Sequence, residues 1–583
     1  MKTPTLVKSI REYKRESLLA PLFVTGEVIL ECLIPLVMAQ LIDNMAAVEG
    51  TSMAPVVKYG IVLVVLAFVS LFCGMQSGNY AATASVGFAK NLRQDLFFKI
   101  QDFSFADIDR FSVSSLVTRM TTDVTNVQNA YQMIIRLAIR GPLMIIISVI
   151  MCLNINARMS LIFLALLPVL GIALFGIARG VMPIFRRIFK RYDAMNNSVQ
   201  ENVSGMRVVK AFVREDYASQ EFHKTSGEVC KDFTSVEKIL ALNSPIMAFC
   251  MYAAFVLVSL FGAQMIVSSG ATDLTTGELS SLINYGVQIL SSLMMLSMVF
   301  VMVSMATESS ERIDEVLTWE SNLTNPENGL EEVANGAIDF DDVSFGYGTR
   351  GNQNLALTNI DLHIPSGSTL GIIGGTGSAK TTLIQLISRL YDVTGGSVRV
   401  AGHDVREYDL EALRNAVAVV LQKNVLFSGT IKDNLRWGNE DATDEQIVAA
   451  CKVAQADDFI QRMPDGYDTM VSQGGTNVSG GQKQRLCIAR ALLKEPKVLI
   501  LDDSTSAVDT KTDALIRQGL SRDLPGTTKI IIAQRISSVQ DADQIIVMDG
   551  GTIAEQGTHD ELIELGGIYR ELFDLQTSQK EAA

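Results

Sequence analysis

At 583 residues, with 48% hydrophobic residues and a mean hydropathy of +0.26, the chain is too long for one ordinary domain and too apolar for a typical soluble enzyme. A formal net charge of −14 argues against nucleic acid as a partner, because phosphate recognition needs a concentrated basic surface. The cysteines (Cys32, Cys73, Cys152, Cys230, Cys250, Cys451, Cys487) form no CxxC pair or His-spaced pattern and read as small buried residues of a reducing compartment.

The chain opens with "TPTLVKSIREYK", where Leu6, Ile10 and Tyr13 fall at helical spacing against basic residues, as in a short helix lying on an inner membrane surface. No short apolar core with a small-residue cleavage site follows, so no signal peptide is expected. Apolar runs near 18–43, 56–79, 130–153, 158–180, 245–268 and 281–305 are each long enough to cross a bilayer as a helix of about 20 residues. The connections after the first, third and fifth runs are short and hold few basic residues. Those after the second and fourth are long and basic, carrying Arg93, Lys99, Arg110 and Arg119, then Arg186, Arg187, Lys190, Arg191, Arg207, Lys210 and Arg214. Lys/Arg excess marks the cytoplasmic side, so both termini are expected there, and the long connections read as helices running on into the cytoplasm.

The polar stretch Glu320 to Gly336 breaks the helical pattern and reads as a linker, which divides the chain into a six-helix membrane domain (1–319), a linker (320–336) and a second domain (337–583). In that second domain, β-rich runs such as "AIDFDDVSFGY", "TLGIIG", "KVLILD" and "KIIIAQ" alternate with helical segments, the pattern of an α/β fold with a largely parallel core sheet.

After the strand "STLGIIG" comes a glycine-rich turn opening a helix: Gly374, Gly375, Thr376, Gly377, Ser378, Ala379, Lys380, Thr381 and Thr382. Such a turn points backbone N–H groups at an anion, and the helix dipole adds to the attraction. Lys380 would reach the β/γ-phosphates of a nucleotide, and the Thr381 hydroxyl would ligate Mg²⁺. The strict pattern has glycine where Ala379 stands. If that position needs φ > 0, alanine costs about 1 kcal/mol or more; if it is helical, the change is nearly harmless.

Together with "NVSGGQKQRLCIARALLKEPKVLILDDSTSAVD", this loop makes the chain resemble the ATP-binding cassette (ABC) transporters, and the six-span front half resembles their exporter branch. The resemblance covers nearly the whole chain. It implies a membrane all-α domain followed by an α/β P-loop cassette that uses ATP and Mg²⁺. In this family Tyr347 would stack on adenine, and Gln422 would link Mg²⁺ to the membrane domain. Ser479, Gly480, Gly481 and Gln482 match the signature that binds the γ-phosphate on the opposite subunit, Asp502 the Mg²⁺-associated aspartate, and Ser506 to Asp509 a loop that touches the partner's site.

Three departures fall on hydrolysis. Asp503 stands where the family usually has the glutamate that positions water, Gln534 where it has a histidine, and Gln473 where exporters have a glutamate before the signature. Aspartate withdraws the carboxylate by roughly 1 Å, and a misplacement of that order can cost about 10²-fold in rate. Glutamine has no titratable proton near neutral pH. The pattern resembles the degenerate-site subunit of a heterodimeric bacterial multidrug exporter, with a slow homodimer as the alternative. The resemblance also implies transverse helices at the tips of the cytoplasmic connections, here Asp102 to Val124 and Phe212 to Lys224. A lipid or peptide exporter, or an ATP-gated regulator without transport, remain as other readings.

Two features of the membrane half invite a substrate role. Met295, Met298, Met302 and Met305 recur on one helical face, where flexible thioethers suit varied shapes or plain helix packing. Glu27 and Glu31 lie one turn apart in the first run, either to attract cationic substrates or to bind a neighbouring helix.

Overall fold

The computed structural model describes residues 4–47, 53–321, 323–347, 355–503 and 508–581. It separates into two compact units, Met1–Gln101 with Val113–Trp319, and Asp102–Ser112 with Glu320–Ala583.

The first unit is helical. Its long helices are α1 (Lys14–Ala47), α2 (Ala54–Gln101), α3 (Val124–Ile155), α4 (Ala157–Ser204), α5 (Glu215–Leu240), α6 (Asn243–Ser269) and α7 (Thr276–Leu317). Among the described residues, six helical stretches are long and apolar enough to cross a membrane, and each contains one of the six runs anticipated from sequence. Helices α2 and α4 have 48 residues each, about 72 Å at 1.5 Å per residue, more than twice the roughly 30 Å of a hydrocarbon core. The excess length is the extension expected of the two basic connections.

The short connections are fixed by local chemistry. Asn156 ends the "NINAR" turn by accepting hydrogen bonds from the N–H groups of Arg158 and Met159 at 3.0 and 3.2 Å, which starts α4. Gly270 closes α6 at φ +64°, and a reciprocal Thr275–Glu278 capping box opens α7. Pro35 lies inside α1 and has no N–H to give the Glu31 carbonyl. Gln288 of α7 reaches that carbonyl at 3.4 Å, while Tyr285 and Ser281 donate to the carbonyls of Cys32 and Pro35 at 2.6 and 2.5 Å. The freed backbone is thus satisfied by a neighbouring helix, as a spanning helix requires.

The second long connection turns earlier than the sequence indicates. Its short tip helix is Met206–Ala211, and the stretch Phe212 to Lys224 instead forms the break and the first turns of α5. Gly205 (φ −88°, ψ 9°) ends α4, and Val213 at φ +52° reverses the chain before α5. The first tip contains a short helix at Phe105–Phe111, closed by Ser112 at φ +55° and opened by a Ser104–Asp107 capping box.

Among its described residues the second unit has a small two-stranded sheet, Gly429–Thr430 with Met470–Val471, and two large ones. One has the strands β1 (Ile338–Phe345), β2 (Leu357–Ile364) and β4 (Gly395–Val400) with the short strand His403–Asp404. The other runs, in order, β9 (Thr552–Gly557), β8 (Gln544–Asp549), β3 (Thr369–Gly374), β7 (Thr528–Ile532), β6 (Val498–Asp502) and β5 (Val417–Val420); only β9 pairs antiparallel. Every residue of β6 and β7 is buried, so these strands read as continuous apolar runs rather than alternating ones. The linker stretch is not free chain: Leu330 donates to the Glu407 carbonyl at 2.9 Å and accepts from the Asp409 N–H at 3.0 Å.

Candidate nucleotide site

The parallel register sets the site. Ile532 pairs with both Ile372 and Asp502, so the carboxyl ends of β3, β7 and β6 lie side by side. Chemistry in open α/β sheets collects at such ends. From β3 the chain passes through the glycine-rich loop into helix α8 (Lys380–Ile387). Gly374 is close to neighbouring backbone: a Cβ there would stand 2.2 Å from the Met548 carbonyl. Gly375, Thr376 and Gly377 are exposed, Ser378 is buried, and Gly377 has φ +84°. Ala379 adopts φ +69°, ψ 22°, the left-handed conformation, so the costly alternative is the one realised.

Lys380 Nζ donates to the carbonyls of Gly374 and Gly375 at 2.9 and 2.7 Å. Burial pulls its pKa down, opposed by the charges of Asp502 and Asp503. Thr381 donates to Asp502 Oδ2 at 2.9 Å. Burial pushes the Asp502 carboxyl up, against the Thr381 hydrogen bond. Asp503 leaves the strand at φ +49° and accepts from Gln534 Nε2 at 2.8 Å and Gln422 Nε2 at 3.4 Å, both at Oδ2. Tyr347 shares a hydrogen bond with the Thr382 hydroxyl at 2.9 Å and stands edge-on to Tyr391, with ring centroids 5.3 Å apart.

The loop, Asp502, Asp503, Gln422, Gln534 and Tyr347 therefore come together. The donor set of Thr381 hydroxyl, Asp502 carboxylate and Gln422 amide is all hard oxygen, which fits Mg²⁺, and the exposed loop backbone fits a polyphosphate. The signature forms its own element: Ser479 caps helix α9 (Gly480–Leu492) in a box with Gln482, at 3.3 Å and 2.9 Å, with Gly480 and Gly481 in the first turn. Gln473 lies in a short turn of helix just before it. In the "SAVD" loop, Ser506 and Ala507 lie outside the described residues, and Asp509 caps the helix Thr510–Asp523.

Comparison with known proteins gives this arrangement its context. Residues 18–293 match the family described as ABC transporter transmembrane region, and residues 357–506 match the one described as ABC transporter. The uncharacterized ABC transporter ATP-binding protein YfiB of Bacillus subtilis is 34% identical over 567 residues, 97% of each chain. YknU of the same organism, described in the same words, is 35% identical over 565 residues, 96% of this chain and 94% of its own length. The chain belongs to the ABC transporter family. A bacterial Atm1-family ABC exporter, solved with ATP bound, shares the fold at a TM-score of 0.83 and 24% identity, covering 97% of this chain and 99% of that one. Like its relatives, this ABC transporter joins one transmembrane region to one cassette, and the family works as dimers in the membrane with ATP and Mg²⁺.

Three partners of the candidate residues escaped the sequence reading. Gln576, on the helix Ile568–Glu581, donates to the Gln534 carbonyl and accepts from the Ile536 N–H, both at 2.9 Å, and carries no motif. Tyr391 bridges from Tyr347 to Asp109 of the helix Phe105–Phe111, donating at 2.7 Å. Arg140 of α3 pairs with both Glu27 and Glu31, at 2.8 Å for the latter. Its signal was visible as arginines at 136 and 140, one turn apart inside an apolar run. Met302 and Met305, both exposed, line an open pocket against α3, whereas Met298, also exposed, and the half-buried Met295 lie outside that lining.

Proposed function

We propose that this chain is the degenerate-site half of a heterodimeric, multidrug-type exporter that moves hydrophobic or amphipathic compounds across the inner (plasma) membrane, with both termini cytoplasmic. In this reading residues 1–319 are the transmembrane domain, 320–336 the linker and 337–583 the nucleotide-binding domain. The observation that carries the reading is the company of Asp503. Its carboxylate receives hydrogen bonds from two side-chain amides, Gln534 at 2.8 Å and Gln422 at 3.4 Å. An amide donates but cannot take a proton from water near neutral pH. Asp503 with Gln534 then orients an ATP that the site retains longer than it splits.

The binding side of the site is complete in residue type. Lys380 and the loop N–H groups would hold the phosphates, Thr381, Gln422 and Asp502 the Mg²⁺, and Tyr347 the adenine. The signature Ser479 to Gln482, already shaped as a helix N-terminus, would complete the partner's active site. Asp109, on the helix Phe105–Phe111, hydrogen-bonds Tyr391, which touches Tyr347, so adenine occupancy can be felt at that helix.

The test is the intact mass of the complex that copurifies with the chain from its native membrane in mild detergent. A one-to-one assembly with a second half-transporter is expected. A complex of two copies of this chain would overturn the heterodimer and leave a slow homodimer, in which both sites carry Asp503 and Gln534.

A further inference from the structure

In the first unit, α3 and α7 line an open pocket of about 430 Å³ whose lining includes Asn129, Gln132, Met133, Arg136, Met302 and Met305, with no carboxylate among its lining residues. That volume is within the range of small-molecule sites. Arg136 makes no ion pair or hydrogen bond among the described residues, and its Nε is buried without a partner. Its guanidinium lies over α2 at Gly78, where a Cβ would come within 3.7 Å of Nη1.

The contrast with Arg140, one turn further along α3, decides what this pocket lacks. Arg140 is held by Glu27 and Glu31, a trio of formal net charge −1, so both glutamates are committed. A charged side chain within a membrane helix is costly and is normally paired. Here the protein supplies side-chain amides and thioethers but no anion. A guanidinium offers a planar fork that matches a carboxylate, sulfonate or phosphate. The methionines offer an adaptable apolar wall for the attached body.

We infer that this pocket binds an amphipathic anion, its charged group on Arg136 beside Asn129 and Gln132 and its apolar body against Met133, Met302 and Met305. This makes the ligand's charge the opposite of what the acidic pair on α1 indicates by itself. The inference rests on the exporter reading for its place in transport, but not on the degenerate site.

The test uses the complex as purified with the chain, in nanodiscs and without ATP, so that a failure here is separate from any failure in subunit composition or hydrolysis. Three probes share one body and differ in head group: pyrenebutyrate, pyrenebutanol and a pyrenebutyl trimethylammonium. In phosphatidylcholine nanodiscs the wild-type complex is expected to bind the carboxylate roughly tenfold or more tighter than the alcohol, as loss of a charge-assisted hydrogen bond implies. Arg136→Gln should bring the two within about threefold, and Arg136→Lys should keep most of the preference. Equal binding of the three heads by the wild type, tightest binding of the cation, or a preference that survives Arg136→Gln overturns the inference. The wild-type comparison stands even where a variant fails to assemble. Adding phosphatidylglycerol separates the sources: competition with pyrenebutyrate assigns the site to a lipid phosphate, and lack of competition to a free amphipathic anion. Either result supports the anion site.

Discussion

Replacing Ala379 with glycine isolates one term of the nucleotide loop. Ala379 sits at φ +69°, ψ 22°, where an L-residue pays about 1–2 kcal/mol that glycine does not. Glycine gives back about 0.4–1 kcal/mol through the greater freedom of the unfolded chain. The net is a stabilisation of about 1 kcal/mol, which for a unit of this size is a rise of about 2–4 °C in its unfolding midpoint. The control is Gly377→Ala in the same loop: φ is +84° and no atom lies within 4 Å of the added Cβ, so its penalty is conformational alone. The assay is calorimetric or fluorescence-detected thermal unfolding of the purified complex without nucleotide. Opposite shifts are expected from two single-methyl changes two residues apart. An unchanged or lowered midpoint for Ala379→Gly, with Gly377→Ala still destabilising, would refute the claim that alanine strains this loop.

Two further expectations concern the catalytic carboxylate and the intramembrane ion pairs. On the proposed heterodimer reading, with the partner's carboxylate removed, Asp503→Glu should raise residual ATP turnover toward 10²-fold and Asp503→Glu with Gln534→His further; unchanged turnover in phosphate-release assays would overturn the proposal that Asp503 limits hydrolysis. Part of the gain will be offset, because Asp503 holds φ +49°, a region aspartate enters more readily than glutamate. Substituting Glu27 and Glu31 together by glutamine should lower complex yield and thermal stability by about 3–5 kcal/mol, because Arg140 is left buried and unpaired. Adding Arg140→Met should restore most of it. Equal stability of the double and triple variants would remove the pairing from the account.

The glycine-rich loop and paired aspartates of the candidate nucleotide site were legible because each is a short local pattern attached to a strand end or a helix start. Gly374 to Thr382 needs only its own turn, and Asp502 and Asp503 need only the end of β6. The spans were legible for a similar reason, since a bilayer demands a long uninterrupted apolar run. What sequence left open depended on backbone angles or on partners far along the chain. Ala379 had two energetic outcomes until its φ was known. The partner of Glu27 and Glu31 was hidden because α3 brings Arg140 to them from more than 100 residues away. The second tip helix lies several residues upstream of its expected place because Gly205 ends α4 early, a break that an otherwise apolar and basic periodicity conceals.

The grip of Gln576 on both sides of the loop after β7 gives the end of the chain an unexpected duty. That final helix is a strut: it fixes the backbone from which Gln534 reaches Asp503, from a point 42 residues further along the chain. Changes to that helix are therefore expected to act on the loop that carries Gln534 and not on the phosphate loop, a difference that turnover and nucleotide affinity measured side by side on a Gln576→Ala variant would show.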